Sequence, residues 1–279
     1  MPDTSASVSE KEQSGKRKGS GSRSASAGSQ TIQRAFDLLR IVAEAGPNGM
    51  RLTEIAARAN LHVATAHRLL GALVQERAVT FDSYSFVYHI GYDFLRRAEK
   101  TRDQALKQHF GGLVESLAAM TREMIYLYTR QSFDALCIDS ARGVNSRREL
   151  TLGIGGRRPL GIGAGSIVLL ASLPAKELAR TLSFNEERYR RYSGITVKQI
   201  REMLREYWQE GYAFHPGYVM HGVSGLGIPL HGTHGEVVAA ISVAAENNRM
   251  MPARRAELAR IMRIEAARVG PFPVEGYGS

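Results

Sequence analysis

The stretch LTEIAARANLHVATAHRLLGALVQ, residues 52–75, decides the fold of the N-terminal part of the chain. Ile55, Ala56 and Ala59 recur at helical spacing, and Thr53 is placed to cap a short helix over 54–59. A three-residue break, 60–62, separates this helix from another over 63–75. The apolar side of that next helix consists of Ala66, Leu69, Leu70, Leu73 and Val74. Two helices joined by a tight turn are typical of a helix-turn-helix.

The flanking segments predict a winged form of this motif. Upstream, apolar residues at helical spacing predict a first helix that begins at Thr31 and ends at the turn 46–49. Downstream, 79–81 and 86–90 predict two short strands around a turn at 82–84. A helix that enters the major groove of DNA needs a polar outer face without bulky groups. Thr65, His67 and Arg68, beside the small Ala64, provide such a face; the alternative is a three-helix packing module whose third helix is merely solvated.

Composition places the chain among cytoplasmic globular proteins. It has 279 residues, of which 43% are hydrophobic and 23% charged. Cys137 is the only cysteine, no apolar run is long enough to span a membrane, and the N-terminus has no secretion signal. Residues 1–29 are rich in serine and glycine and poor in large apolar side chains, which predicts a disordered tail.

The charge balance favours a polyanionic partner. The formal net charge is +10 and the isoelectric point about 9.9. The excess is spread along the chain rather than gathered in one segment, so a well-solvated basic surface explains it equally well.

Beyond residue 92 the pattern alternates between helices and strands. A helix is predicted over 92–123, with a soft break at Gly111-Gly112. Strands are predicted over 124–129, 136–140, 148–152, 212–214, 225–230 and 237–244, and helices over 164–172, 195–210 and 252–269. The short turn 231–235 can join only antiparallel neighbours, so we expect an α/β domain with a mixed or antiparallel sheet.

The glycine-rich stretch GIGAGSIVLL, residues 161–170, is the main candidate for a nucleotide site, and its spacing argues against one. A dinucleotide fingerprint needs G-x-G-x-x-G after a strand, whereas here position 166 is Ser and Pro159 precedes the stretch. No Lys-Ser or Lys-Thr pair completes a P-loop. The late histidines lack metal-ligand spacing, Cys137 lies in an apolar strand, and no serine has a nucleophile-elbow context. The sequence therefore predicts no enzymatic activity, no metal and no cofactor.

The chain resembles the IclR family of bacterial transcriptional regulators in both halves. The N-terminal resemblance rests on Arg34-Ala35, on LTEIA at 52–56 and on TAHRLL at 65–70. The C-terminal resemblance rests on GGRRPLGIGAGSIVLLASLP at 155–174 and on GYAFHPGYVMHGVSGLGIPLHGTHGEVVAAISVAAENNR at 211–249. It covers residues 29–270 and implies an α+β fold. In order, that fold has a disordered tail (1–29), a winged helix-turn-helix (30–92), a linker helix (93–122) and a GAF-like effector-binding domain (123–272).

The resemblance also implies partners and site residues. The partners are double-stranded operator DNA, a small-molecule effector that is aromatic or a carboxylate, and further copies of the chain in a homodimer or homotetramer. The implied DNA contacts are Gln33, Arg34, Thr53, Ala64, Thr65, His67, Arg68 and Tyr84. The implied effector contacts are Gly163, Ala164, Gly165, His215, Gly225 and Ser242.

Several effector positions depart from the family's pattern. Glycines stand at 161, 163 and 165 where many relatives have polar residues. His215 stands where an acidic or polar group is common, Gly225 where a small polar or thiol group is common, and Ala244 in place of a frequent serine. We expect a roomier and less polar pocket that takes a bulky effector, with His215 as the partner of a carboxylate or phenol.

These features predict a ligand-responsive DNA-binding regulator of a catabolic or metabolic operon. One alternative is a constitutive DNA-binding repressor with a C-terminal domain that senses nothing. The other is an enzyme built on the α/β domain, for which the sequence offers no set of catalytic groups.

Overall fold

The computed structural model describes residues 21–146 and 152–274, and the chain divides into two compact units on either side of the bond between Arg97 and Ala98. The strand predicted over 148–152 falls almost wholly on residues outside the described ranges, as do residues 1–20 of the predicted tail.

The first unit is a three-helix cluster closed by a small sheet. Its elements are α1 (Gly21–Glu44), β1 (Met50–Arg51), α2 (Leu52–Arg58), α3 (Val63–Gln75), β2 (Val79–Asp82) and β3 (Val87–Ile90). The strands pair antiparallel in the order β1-β3-β2. Leu38, Val42, Ile55 and Leu70 meet in its core. The predicted helix over 63–75 and the hairpin that follows it are confirmed.

Two details of this unit differ from expectation. Helix α1 begins at Gly21, so its first residues belong to the segment predicted to be disordered. Once a helix has nucleated on its amphipathic part, each further residue costs little, and serine and alanine permit that extension. Thr53 does not cap α2, because the helix begins at Leu52 with Arg51 as its N-cap, and no side chain caps it.

The second unit is an antiparallel sheet covered on both faces. The chain enters it along α4 (Tyr92–Thr121), whose first residues belong to the first unit. The elements that follow are β4 (Met124–Gln131), β5 (Asp134–Ala141), β6 (Arg157–Pro159), α5 (Ala164–Ala171), α6 (Ala175–Tyr189), α7 (Val197–Glu210), β7 (Ala213–Met220), β8 (Val223–His231), β9 (Val237–Glu246) and α8 (Pro252–Val269). The strand order is β6-β5-β4-β9-β8-β7.

Each face of this sheet carries its own apolar core. Along β4, Tyr126 and Tyr128 contribute to the core under α5, α6 and α7, while Ile125 and Leu127 contribute to the core under α4 and α8. A strand buried on both faces is apolar at nearly every position, which is why β4 shows no alternation.

Four features of this unit were absent from the sequence-based prediction or differ from it. Helix α6 and the short edge strand β6 were not predicted, and β7 runs to Met220 rather than ending at Phe214. The pair Gly111-Gly112 does not break α4. Buried side chains on either side of the glycines, among them Phe110 and Leu113, hold the helix continuous against the sheet. Within the described ranges, no helix is long and apolar enough to cross a membrane.

Candidate DNA-binding surface and effector cavity

Helix α3 presents a small polar face to solvent. Ala64, His67 and Arg68 are exposed, and Thr65 is half-buried. Ala66, Leu69 and Leu70 on its other side are buried, so the exposed face is held rigidly by the core. A face of this kind can lie against base edges and phosphates without burying an apolar side chain.

Some arginine side chains of this unit form ion pairs with carboxylates, and others do not. Arg40, Arg58 and Arg77 each pair with a carboxylate. Arg51 and Arg68 are exposed and form no ion pair with any residue in the described ranges. Arg51, at the N-cap of α2, was not among the predicted contacts. Its signal in the sequence was a basic residue immediately before the first helix of the motif.

The remaining predicted DNA contacts lie on α1, on α2 and in the wing. Gln33 is exposed and Arg34 half-buried on α1, and Thr53 is exposed in the first turn of α2. Tyr84 is 94% exposed in the turn between β2 and β3.

The wing turn is held in shape by Asp82. Its carboxylate accepts hydrogen bonds from the Ser85 hydroxyl and, at 2.9 Å, from the backbone N–H of Tyr84. These bonds lower the pKa of Asp82, the bond from Ser85 most strongly.

The second unit contains a cavity of about 30 Å³ between the N-terminus of α5 and strands β7, β8 and β9. Of the six predicted effector contacts, five line it: Gly163, Ala164, His215, Gly225 and Ser242. The strand register explains why residues distant in sequence meet here, because His215 pairs with Gly225 and Gly225 pairs with Ala244. The other lining residues are Tyr128, Arg158, Ile162, Ser166, Val219, Met220, Val223, Ser224, Val243 and Ala244.

Two buried nitrogen-bearing side chains dominate the electrostatics of the cavity. Arg158 is 3% exposed and His215 is 2% exposed. Neither Nε of Arg158 nor Nε2 of His215 has a hydrogen-bond partner, and no carboxylate in the described ranges forms an ion pair with Arg158. Burial, together with the nearby positive charge of Arg158, lowers the pKa of His215 to about 3, so the imidazole is neutral at physiological pH. The cavity is therefore a buried, cationic site with free donor and acceptor capacity.

Arg158 was not among the predicted effector contacts. On β6 the neighbouring Arg157 is exposed, so the strand alternates one arginine outward and one inward. The doubled arginine of RRP was visible, but nothing local shows which of the two is buried.

Large side chains from neighbouring strands lie beside the glycines at the start of α5. A Cβ on Gly165 would lie 2.7 Å from the Tyr128 ring, and one on Gly163 would lie 3.3 Å from Nη1 of Arg158. Gly163 also has a φ of +92°, which L side chains rarely adopt. The predicted contact Gly165 thus lies against Tyr128 and does not line the cavity.

Ser166 stabilises the start of the stretch GIGAGSIVLL through two hydrogen bonds. Its hydroxyl accepts a hydrogen bond from the backbone N–H of Gly161 at 2.9 Å and donates one to the carbonyl of Pro159 at 3.1 Å. Both bonds are internal to the loop, so this serine stabilises the turn into α5.

Among the late histidines considered as metal ligands, His215 lines the cavity, whereas the other three, like Cys137, do not. His221, His231 and His234 are exposed, and Cys137 is buried with its thiol donating to the Asp139 carbonyl. Within the described ranges, no cluster of histidine, cysteine and carboxylate side chains has the arrangement of a metal site.

Two family models match the chain. The model described as "Bacterial transcriptional regulator IclR C-terminal" matches residues 99–270, and the "IclR helix-turn-helix domain" matches residues 31–83. Among characterised proteins, the chain is 28% identical over 247 residues to the HTH-type transcriptional regulator BhcR of Paracoccus denitrificans, covering 87% of this chain and 86% of that one.

Solved structures of the same family share the fold. An IclR-family regulator from Rhodococcus aligns with a TM-score of 0.61 at 23% identity, covering 92% of this chain and 96% of that one. An IclR homologue from Microbacterium hydrocarbonoxydans, solved in complex with 4-hydroxybenzoate, aligns with a TM-score of 0.53 at 19% identity, covering 86% of this chain and 98% of that one.

Proposed function

This chain belongs to the IclR family of bacterial transcriptional regulators, and on that premise we propose that it is a cytoplasmic, ligand-responsive regulator of a catabolic or metabolic operon. Its first unit binds operator DNA through α3, with Thr65, His67 and Arg68 reading the major groove and the wing contacting the backbone. Its second unit binds a small organic acid in the cavity beside α5. No catalytic role is assigned to either unit.

The observation that carries this proposal is the buried Arg158. A guanidinium that is 3% exposed and has no anionic partner in the described ranges is costly to keep out of water. A bound carboxylate compensates that cost, because it accepts charge-assisted hydrogen bonds from the guanidinium.

The chemistry of His215 selects a second group on the effector. The imidazole is neutral, so it offers no charge to a carboxylate. A hydrogen bond to its own backbone carbonyl uses one ring nitrogen as donor, which leaves Nε2 as an acceptor. The effector that fits is a hydroxycarboxylate, whose hydroxyl donates to His215 while its carboxylate pairs with Arg158.

Effector size depends on one wall of the cavity. About 30 Å³ accommodates roughly two water-sized groups, which is less than even a short hydroxy acid fills, so one wall must move to admit the effector. Residues 216–219 leave the ladder with β8, and Val219 from this segment lines the cavity next to Met220, which pairs with Val223. Displacing this unpaired wall admits an aromatic hydroxy acid such as the 4-hydroxybenzoate bound by the Microbacterium homologue.

Assembly into a homodimer or homotetramer is part of the proposal. The first unit exposes large apolar side chains on α1 and at the start of α4: Ile32, Phe36, Tyr92, Phe94 and Leu95. Apolar side chains in this number favour a protein partner. A second copy places two recognition helices on one face of the DNA.

Thermal-shift titration of paired probes tests the effector site. We expect glycolate or 4-hydroxybenzoate to raise the melting temperature of the wild-type protein, since a ligand that binds only the folded state stabilises it. The neutral amides of the same two acids should raise it far less. Arg158→Met should abolish the shift, and the matched variant Arg157→Met, which alters the exposed arginine of the same strand, should retain it.

Two outcomes would contradict the site. Equal shifts with an acid and its amide would remove the role of Arg158 as a carboxylate partner. No shift with either acid would refute a hydroxycarboxylate effector in this cavity, while leaving DNA binding by the first unit to be measured separately.

A further inference from the structure

The cavity is joined to the end of the linker helix α4 by a continuous chain of polar contacts. Ser224 lines the cavity, is 5% exposed, and donates a hydrogen bond from its hydroxyl to Oδ1 of Asn247 at 2.7 Å. Asn247 opens a short 3₁₀ turn, Asn247–Arg249, immediately after β9. Its backbone N–H donates to the carbonyl of Gly222 at 2.9 Å, which ties the turn to the start of β8.

Arg249, at the far end of that turn, binds Glu123, which lies just beyond the end of α4. Arg249 donates from Nε to one oxygen of Glu123 at 2.7 Å and from Nη2 to the other at 3.1 Å. Glu123 is 3% exposed and stands two residues beyond the last residue of α4. Two-pronged pairing of an arginine with a buried carboxylate holds both groups in one geometry.

The end of α4 is hydrogen-bonded to the backbone of Glu123. The backbone N–H of Glu123 donates to the Thr121 hydroxyl at 3.3 Å, and that hydroxyl donates to the Leu117 carbonyl at 2.7 Å. Helix α4 begins at Tyr92 in the first unit, so it is the covalent connection between the DNA-binding unit and the cavity-bearing unit.

We propose that Ser224, Asn247, Arg249 and Glu123 form the route by which cavity occupancy changes the C-terminal end of α4. The Ser224 hydroxyl has a single proton to donate. When it donates to an effector carboxylate it no longer donates to Asn247, and the 3₁₀ turn that positions Arg249 loses one of its anchors. Ser224 therefore donates either to Asn247 or to the effector. In the first state the 3₁₀ turn that holds Arg249 against Glu123 is anchored, and in the second it is not.

The role of this route in regulation rests on the proposed function, but its existence does not. Backbone hydrogen exchange measures it in the full-length protein without effector or DNA. In Ser224→Ala we expect exchange to become about fivefold faster or more at 247–249 and at 118–123, the factor that corresponds to one lost hydrogen bond. The matched variant Ser242→Ala removes a hydroxyl from the same cavity on β9 and should leave exchange at 118–123 unchanged.

Thermodynamic coupling between two sites is reciprocal, which supplies a second test. Glu123→Gln should speed exchange not only at 118–123 but also at 222–226 beside the cavity. Asn247→Ala, at an exposed position, interrupts the route in its middle and should reproduce the Ser224→Ala pattern even if the buried Glu123 variant folds poorly. Unchanged exchange at 118–123 in both Ser224→Ala and Asn247→Ala, or an equal effect of Ser242→Ala, would overturn the route and leave effector binding itself untouched.

Discussion

Replacing Gly227 with alanine should destabilise the second unit by about 1–3 kcal/mol, the usual range for overpacking a filled site. A Cβ on Gly227 would lie 2.9 Å from the carbonyl carbon of Ala164 and 2.9 Å from the backbone nitrogen of Gly165. These are backbone atoms in the first turn of α5, and they cannot rotate away as the end of a flexible side chain does. The helix must therefore move off the sheet to admit one methyl group.

Gly225→Ala is the matched control. It lies on the same strand and the same face, but its added Cβ would meet the Ala164 Cβ at 3.4 Å, which is close to ordinary van der Waals contact. We expect a change of less than about 1 kcal/mol in either direction, because alanine also reduces the conformational entropy of the unfolded chain.

Urea unfolding followed by the fluorescence of Trp208, the single tryptophan, reports on this unit. Gly227→Ala should lower the midpoint without changing the slope, and in a thermal melt it should lower the melting temperature by roughly 2–4 °C per kcal/mol. Equal midpoints for the two variants would refute the close contact between α5 and β8 as the reason for a glycine at position 227.

Three further predictions concern DNA binding, pH dependence and a buried hydroxyl. Arg68→Ala should weaken binding to the DNA upstream of the protein's own gene by about 1–3 kcal/mol in a gel-shift titration if Arg68 reads a guanine; unchanged affinity would remove Arg68 from the interface. Because burial and Arg158 hold the pKa of His215 near 3, the unfolded chain binds one more proton than the folded chain between about pH 3 and 6.5, and stability falls as the pH falls through this window. His215→Asn should flatten that slope, by up to about 1.4 kcal/mol per pH unit, in unfolding midpoints compared near pH 5 and pH 7; an unaltered slope would show that His215 is protonated in the folded state. Tyr189→Phe removes the hydroxyl that donates to the Leu160 carbonyl at 2.6 Å and should lower stability by about 0.5–1.5 kcal/mol in the same assay, whereas an unchanged midpoint would contradict that bond.

Ser166 and Arg158 illustrate why the candidate cavity was only partly predictable. The spacing of the glycine stretch argued against a phosphate-binding loop, and the structure places Ser166 in internal hydrogen bonds of that turn. Arg158 was not predicted to line the cavity, because its burial depends on the pairing of β6 with β5, in which Ala135 lies opposite Arg158. The tripeptide RRP at 157–159 does not by itself indicate how β6 pairs with β5.

The volume of the cavity cannot be predicted from its glycines for a related reason. The number of glycines shows how many side chains are missing from the lining. The free volume of the cavity depends on which other side chains fill that space. Tyr128 and Arg158 come from two other strands, and their rings and alkyl chains fill the space beside Gly165 and Gly163. Close packing of protein interiors makes such filling the normal outcome.

Local patterning was enough to predict the winged helix-turn-helix, since helix α3 and the wing depend on periodicity and turn residues within some forty positions. It was also enough to predict most of the helices and strands of the second unit. Only tertiary structure decided the strand order, the inward side of β6 and the meeting of Arg158 with His215, because these depend on pairing and packing between separate segments of the chain. The polar route from Ser224 to Glu123 belongs to the same class, since its hydrogen bonds join residues that only the packed fold brings within reach.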